Sequence, residues 1–444
     1  MSMNTLIQKP EDEFPEQSTR GLTQLLLVSA FAGALVGLVG GSFHWLLVHG
    51  SKGFADILSR WKAEGFLGLP GWIFAMIVVG LCVGLARWLV TFAPTAAGSG
   101  VQHVEAVMRE EANPASFRVL PIKFLGGLLA MVPGLALGRE GPTIQMAAVI
   151  GTQCGKFFGF KSGDRSLLYT AIAGSGLSVA FNAPLAGVAF VIEEVAHRTT
   201  MRRLLATLIA VATAITIYRA YFGNLVEFSV TNLLPSSMGE LAAFGLLGAW
   251  IGALGVFYNK SVLLGLNVFN HTAPKVSPII KAGILGAFIG LFAYWQPQWV
   301  GGGETQVNAV LAGQLSLNAL LILFLVRWVL GPISYSMSVP GGLFAPLLLV
   351  GAVSGALFAT SLNFLVTAPF VLDPIAFALV GMAAFFTAVV RAPFTGVVLI
   401  CEMSGSVTLV APLIVASVMA CLVASLMRGE PIYDSLRARM TKQH

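Results

Sequence analysis

The sequence predicts an all-α polytopic membrane protein made of two homologous halves. Three observations carry that prediction: the composition, the recurrence of long apolar runs, and an internal repeat whose blocks return in the same order. Of 444 residues, 56% are hydrophobic and only 10% charged, where a soluble domain carries about a quarter charged residues. Apolar runs long enough to cross ~30 Å of hydrocarbon, roughly 20 residues each, recur from near Leu22 to about Met427, and no soluble domain fits between them.

The chain divides accordingly. Residues 1–20 are polar, carry both charge signs and lack the basic-then-apolar order of a cleavable signal, so they read as a short cytoplasmic tail. Residues 21–427 form the membrane region, and the segment from Arg428, residues 428–444, reads as a second cytoplasmic tail. A net charge of +6 would suggest nucleic acid in a soluble protein. Here it reflects lysines and arginines in cytoplasmic loops, and no nucleic-acid partner is expected. The stretch "HRTTMRR" places Arg198, Arg202 and Arg203 together without an acid and marks such a loop. Cys82, Cys154, Cys401 and Cys421 lie within apolar runs and imply neither a disulfide framework nor a metal site.

Candidate spans begin near Leu22, Leu67, Pro121, Thr143, Leu167, Leu204, Leu241, Ile279, Leu317, Phe344, Ile375 and Leu409. "GALVGLVGG", Gly33 to Gly41, spaces small residues four apart, which favours close helix contacts. Glycine and proline cluster mid-hydrophobic in "GREGP" and in "SVPGGLFAP", Ser338 to Pro346. Unwound backbone there must be buried or line a cavity.

The repeat sets "GSGVQHVEAVM" from Gly98 over "GGGETQVNAVL" from Gly301. In a common frame "IKFLG" from Ile122 then lies over "VRWVL" from Val326, and "GREGP" over "GLFAP", with Glu140 opposite Phe344. Further on, "APLAGVAFVIEE" from Ala183 matches "APFTGVVLICEM" from Ala392. Two halves, about 70–200 and 275–427, follow. Secondary transporters are often built this way, with broken helices meeting near the midplane.

An intramembrane charge costs ~2.5–3.5 kcal/mol on insertion scales, so Glu140, Glu193, Glu194 and Glu402 need reasons. Glu140 could form a local ion pair with Arg139. Yet Gly141-Pro142 suggests a helix start, and a carboxylate just before it occupies an anion site. Ionised, Glu140 would fill that site as a tethered imitation of a diffusible anion; protonated, it would leave and admit the ion. Glu193 and Glu194 precede the basic loop and read equally well as interfacial acids. Glu402, the repeat partner of Glu193, reads as structural, satisfied by backbone N–H groups or a neighbouring helix. Ser99 in "GSGVQ" and the glycines of "PGGLFAP" could hold a weakly hydrated anion with hydroxyl and amide groups, although each alone reads as a turn.

"GSGVQ", "GREGPTIQ", "FNAPLAGVAFVIEE", "GGLFAP" and "GEPIYDSL", in that order, resemble the CLC family of chloride channels and proton-coupled chloride exchangers, over about Leu22 to Tyr433. The resemblance implies a homodimer with one pore per subunit, inverted-topology halves with broken and tilted helices, bound chloride ions and no other cofactor. It implies that Ser99 and Tyr433 coordinate a central anion, that Leu343 and Phe344 offer backbone N–H groups to it, and that Arg139 and Glu140 do so at an outer site. Glu140 would be the external gate and proton carrier, and Glu194 the internal proton relay. Acids at both positions favour an exchanger over a passive, voltage- or pH-gated channel, the alternative reading. The compact chain implies a prokaryotic form in a bacterial inner membrane.

Two departures from the family pattern stand out. Gln102 replaces a common proline and adds donors near the site, and His103 stands where an acid is frequent. Serine at 99 argues for chloride over nitrate or fluoride. A membrane-embedded hydrolase using Ser99 or Ser175 is the competing class, but none of His44, His49, His103, His197, His271 and His444 has an obvious orienting acid. "GTQCGKFF" lacks the spacing of a phosphate loop.

Overall fold

The computed structural model describes residues 19–65, 70–195, 200–224, 227–228, 230, 237–364 and 371–441. His197, Arg198 and His444, most of the N-terminal segment and the predicted span start at Leu67 lie outside them. The described residues hold helices and no strand, only two isolated bridges.

The first half comprises α1 (Thr19–Glu64), α2 (Gly71–Leu89), α3 (Val101–Met108), α4 (Val119–Met131), α5 (Glu140–Phe157), α6 (Ser162–Phe181), α7 (Pro184–Phe190), which continues into a π-helical turn at Val191–Val195, and α8 (Met201–Phe222). The second comprises α9 (Met238–His271), α10 (Pro278–Trp295), α11 (Glu304–Leu311), α12 (Leu317–Ser336), α13 (Phe344–Asn363), α14 (Pro374–Val390), α15 (Pro393–Ser404) and α16 (Val410–Leu426). A last helix, α17 (Ile432–Thr441), has no counterpart.

Helix punctuation repeats with the sequence blocks. Left-handed glycines open α3 (Gly100, φ 90°) and α11 (Gly303, φ 118°), a conformation that costs glycine nothing. Left-handed residues close α6 (Asn182) and α14 (Arg391), and proline starts α7 and α15. Repetition therefore extends beyond the matched blocks to α1 and α9, α2 and α10, and α8 and α16.

Glycine contacts give the directions. A methyl on Gly33 would overlap the carbonyl of Ala210, and one on Gly37 that of Ala214, so α1 lies directly on α8 and runs parallel to it. This is the close contact that "GALVGLVGG" predicts. Gly80 faces Gly283 while Gly290 faces Ala75, so α2 and α10, which are repeat partners, pack antiparallel. The halves are therefore inverted about a two-fold axis.

Helices α5, α6, α13 and α14 are buried along nearly their whole length. The longer helices surround them and turn side chains such as Leu81, Leu246 and Phe288 outward. The short helices α3 and α11 can end inside the membrane because this protein wall shields their backbone.

Candidate functional site: converging helix ends

The predicted loops are stitched together at the two-fold axis. Repeat partners Gly138 and Gly342 exchange backbone hydrogen bonds, Gly138 donating to Gly342 at 2.8 Å and Gly342 to Gly138 at 2.7 Å. Gly98 donates to Val339 O (3.2 Å) and accepts from Gly341 N (3.1 Å). These bonds bring the starts of α3, α5 and α13 to one buried centre, with the positive ends of their dipoles turned inward.

Ser99, Glu140, Leu343 and Phe344 meet there, all less than 2% exposed. Tyr433, fully buried on α17, joins them with its ring 5.8 Å from that of Phe344 and its hydroxyl turned towards Ser99. The segment from Arg428 thus includes a packed helix that carries Tyr433 to the same buried centre. Ser99 Oγ and Tyr433 OH are both buried without a hydrogen-bond partner in the protein. Buried hydroxyls are rarely left so, and an anion between them would accept from both. Ser99 Oγ also lies against Gly141, where a side chain would collide with it.

Glu140 is the first residue of α5, and Arg139 caps it. Both carboxylate oxygens are buried and unpartnered, and they lie against Gly138, Gly342 and the Ala345 amide. The carboxylate is therefore aimed at the N-terminus of α13 in the opposite half. It does not pair with Arg139. The Arg139 guanidinium turns away, donating to Ala180 O (2.8 Å), to Glu227 (2.8 Å) and to Glu304.

Behind Ser99, fully buried Lys123 on α4 donates to Gly98 O (2.6 Å) and Ser99 O (2.9 Å). Its repeat partner Arg327 on α12 donates to Gly301 O (2.8 Å) and Gly302 O (3.1 Å). Sequence reasoning passed over both cations, although aligning "IKFLG" with "VRWVL" had set them opposite each other.

The adjacent acids Glu193 and Glu194 part company on the π-helical turn. Glu193 accepts from the backbone N–H groups of Phe394 (3.0 Å) and Thr395 (2.7 Å) at the start of α15. Glu402 accepts from Leu185 (2.9 Å) and Ala186 (2.8 Å) at the start of α7. Glu194 instead turns inward, 8% exposed, to face the carboxyl of Glu105 on α3 within hydrogen-bonding reach. Arg437 on α17 contacts Glu105 (3.5 Å), Glu111 (3.1 Å) and Asp434 (2.8 Å). Glu105 is a third residue that sequence reasoning missed; its signal was an acid on an otherwise buried short helix.

Gln102 brings an acceptor rather than donors to the loop: its side-chain oxygen accepts from Gly100 N (3.1 Å). Buried His103 bonds the Tyr169 hydroxyl at 2.9 Å. Ser175 donates to Ile172 O, so among the described residues neither candidate serine has a hydrogen-bonded base. "GTQCGKFF" runs along the end of α5 and is no loop.

An all-α, two-fold inverted membrane fold whose broken helices aim amides and hydroxyls at a buried centre defines an anion-handling transport protein. A profile of the voltage gated chloride channel family matches residues 80–425. The chain is 36% identical to the H(+)/Cl(-) exchange transporter ClcA of Vibrio parahaemolyticus, over 99% of this chain and 95% of that one. It is 34% identical to the ClcA of Yersinia pseudotuberculosis, over 94% and 87%. Among solved structures it resembles a slow cyanobacterial Cl-/H+ antiporter (TM-score 0.88, 30% identity, 95% of this chain and 99% of that one). It shares its fold with a CLC-type fluoride/proton antiporter (TM-score 0.76, 20% identity, 94% and 98%). The chain belongs to the voltage gated chloride channel family, the CLC family.

Proposed function

We infer that this chain exchanges chloride for protons across a membrane, as an ion-coupled transporter and not an enzyme. One observation carries the reading furthest: the buried, unpartnered Glu140 carboxylate lies at the start of α13, near the two unpartnered hydroxyls of Ser99 and Tyr433. A carboxylate in an anion cradle competes with the anion for it. When an anion displaces Glu140, the side chain can take a proton outward; when the proton leaves, the side chain reoccupies the cradle. Chloride would be held by the two hydroxyls and by the N–H groups of Leu343 and Phe344, with Arg139 and Glu140 backbone groups serving the outer position. Glu194, paired with Glu105, would relay protons from the inner face.

Lipid surrounds the transporter, and we assign it to a bacterial inner membrane. A homodimer fits because α7 and α15 are too short to span, yet they and the π-helical turn after α7 expose Leu185, Phe394 and Ile192. Short helix ends need protein cover.

The test is the reversal potential of purified protein in liposomes under combined chloride and pH gradients. An exchanger reverses at a potential set by both gradients, a passive channel at one set by chloride alone. Glu140→Ala should keep chloride flux and lose proton coupling. Glu194→Gln should stop proton movement while chloride passes. Normal proton pumping by Glu140→Ala would overturn the assignment.

A further inference from the structure

Arg139 has its guanidinium shared between acids from two other parts of the chain, Glu304 at the start of α11 and Glu227 after α8. The basic segment before α8 sets its start at the inner face, so α8 ends, and Glu227 follows, at the outer face. Glu227 and Glu304 line a small recess together with Ala345 and Leu348. Ala345 is the residue whose amide faces the Glu140 carboxylate. A partly exposed carboxylate therefore shares a recess with the residue whose amide faces the buried one.

Exposure distinguishes the two acids. The Glu304 side chain is 40% exposed, that of Glu227 14%. Charge is also out of balance: Glu227 and Glu304 share one guanidinium, and the unpaired Glu140 carboxylate lies within electrostatic range of it. Among the described residues no other cation forms an ion pair with these acids. Tyr218 bonds His44 at 2.8 Å, Arg219 is engaged by Asn182 (2.9 Å), and Arg327 by the carbonyls before α11. Arg139 stays neutralised by Glu227 if Glu304 takes a proton, so protonation of Glu304 removes surplus charge without stranding a cation.

We propose that Glu304 is the outer proton-loading residue of the transporter, collecting protons from solution and passing them to Glu140. The inference rests on the exchange reading above. Hydronium gives its proton to the Glu304 carboxylate and leaves as water. The neutral acid then passes the proton, directly or through one water in the recess, to the Glu140 carboxylate and is ionised again. Direct capture is the slow alternative: at neutral pH, with ~10⁻⁷ M protons and an encounter rate of roughly 10¹⁰ M⁻¹s⁻¹, even an open site is loaded only about 10³ times per second. A buried one is loaded less often.

The experiment measures coupled turnover in liposomes across a series of symmetric pH values for the full chain and for Glu304→Gln and Glu304→Asp. In Glu304→Gln the alkaline fall in turnover should begin about one pH unit lower, a tenfold change in proton supply. Glu304→Asp should restore it, and so should millimolar imidazole, a mobile buffer that carries protons in place of the lost carboxyl. A uniform loss at every pH, or no change, would overturn the proposal. Shifted turnover that imidazole fails to rescue would also overturn it, because the charge of Glu304 would then act on Glu140 without carrying the proton. In a Glu140→Ala background, where no proton transfer remains, Glu304→Gln should change chloride flux by the same factor at every pH, the effect of its ion pair with Arg139; a pH-dependent change there would sink the relay while leaving the role of Glu140 intact.

Discussion

Glu193 and Glu402 are exchanged across the two-fold axis: each carboxylate, contributed by one half, caps the helix that opens the equivalent segment of the other. Two repeat partners making the same contact in opposite senses is what an isologous interface requires, here within one chain. The adjacent Glu194 has no such twin, since Met403 occupies its repeat position. Symmetry thus separates the acid that holds the halves together from the acid free for other work.

Glu193→Gln and Glu402→Gln should each destabilise the protein to a similar extent while leaving the chloride-to-proton ratio unchanged. Each carboxylate accepts two backbone N–H bonds, and hydrogen bonds to a charged group contribute about 1.5–3 kcal/mol apiece; the amide replacement keeps one acceptor, so a loss of about 1–3 kcal/mol is expected. Thermal unfolding in detergent, followed by coupled-flux measurement on the folded fraction, checks it. An altered ratio in Glu193→Gln alone would show that symmetry had misled us.

Ser99→Ala combined with Tyr433→Phe should weaken chloride binding steeply, because both orphan hydroxyls face the proposed anion. At about 1.5–3 kcal/mol for a bond to a charged group, each loss raises Kd roughly tenfold or more. Calorimetric titration with chloride reads this directly, and an unchanged affinity would remove the central site from between these residues.

Lys123 and Arg327 occupy equivalent places, but only Lys123 stands behind Ser99. Lys123→Met and Arg327→Met should both lower the unfolding temperature, since each strands buried carbonyls. Only Lys123→Met should also lower chloride affinity, by removing a positive charge from a low-dielectric site. Equal effects on binding would mean the lysine serves only to hold its loop.

Much of this was legible in the sequence because backbone chemistry leaves marks. Glycines at 98, 100, 301 and 303, prolines at 142, 346, 184 and 393, and spaced small residues from Gly33 to Gly41 fix turns, helix starts and close contacts locally. They yielded the broken helices, the repeat and the loops that meet. What stayed hidden depends on contacts between distant segments. Nothing near Arg139 announces Glu227 and Glu304. Nothing near Glu194 announces Glu105, and nothing near Lys123 announces the two carbonyls it holds. On its own residues the segment from Arg428 reads as a tail, and only the family resemblance singled out Tyr433; its polar face conceals the burial of Ile432 and Tyr433.

That final helix has a bearing on biogenesis. Tyr433 follows Ser99, Glu140, Leu343 and Phe344 along the chain, so it leaves the ribosome after every other residue of the proposed anion site. During synthesis the membrane would hold helices already converged on that centre but lacking one of its two unpartnered hydroxyls. If the proposed site is right, a copy cut before Ile432 would grip its ion more weakly, and the order of synthesis itself would hold back function until α17 docks.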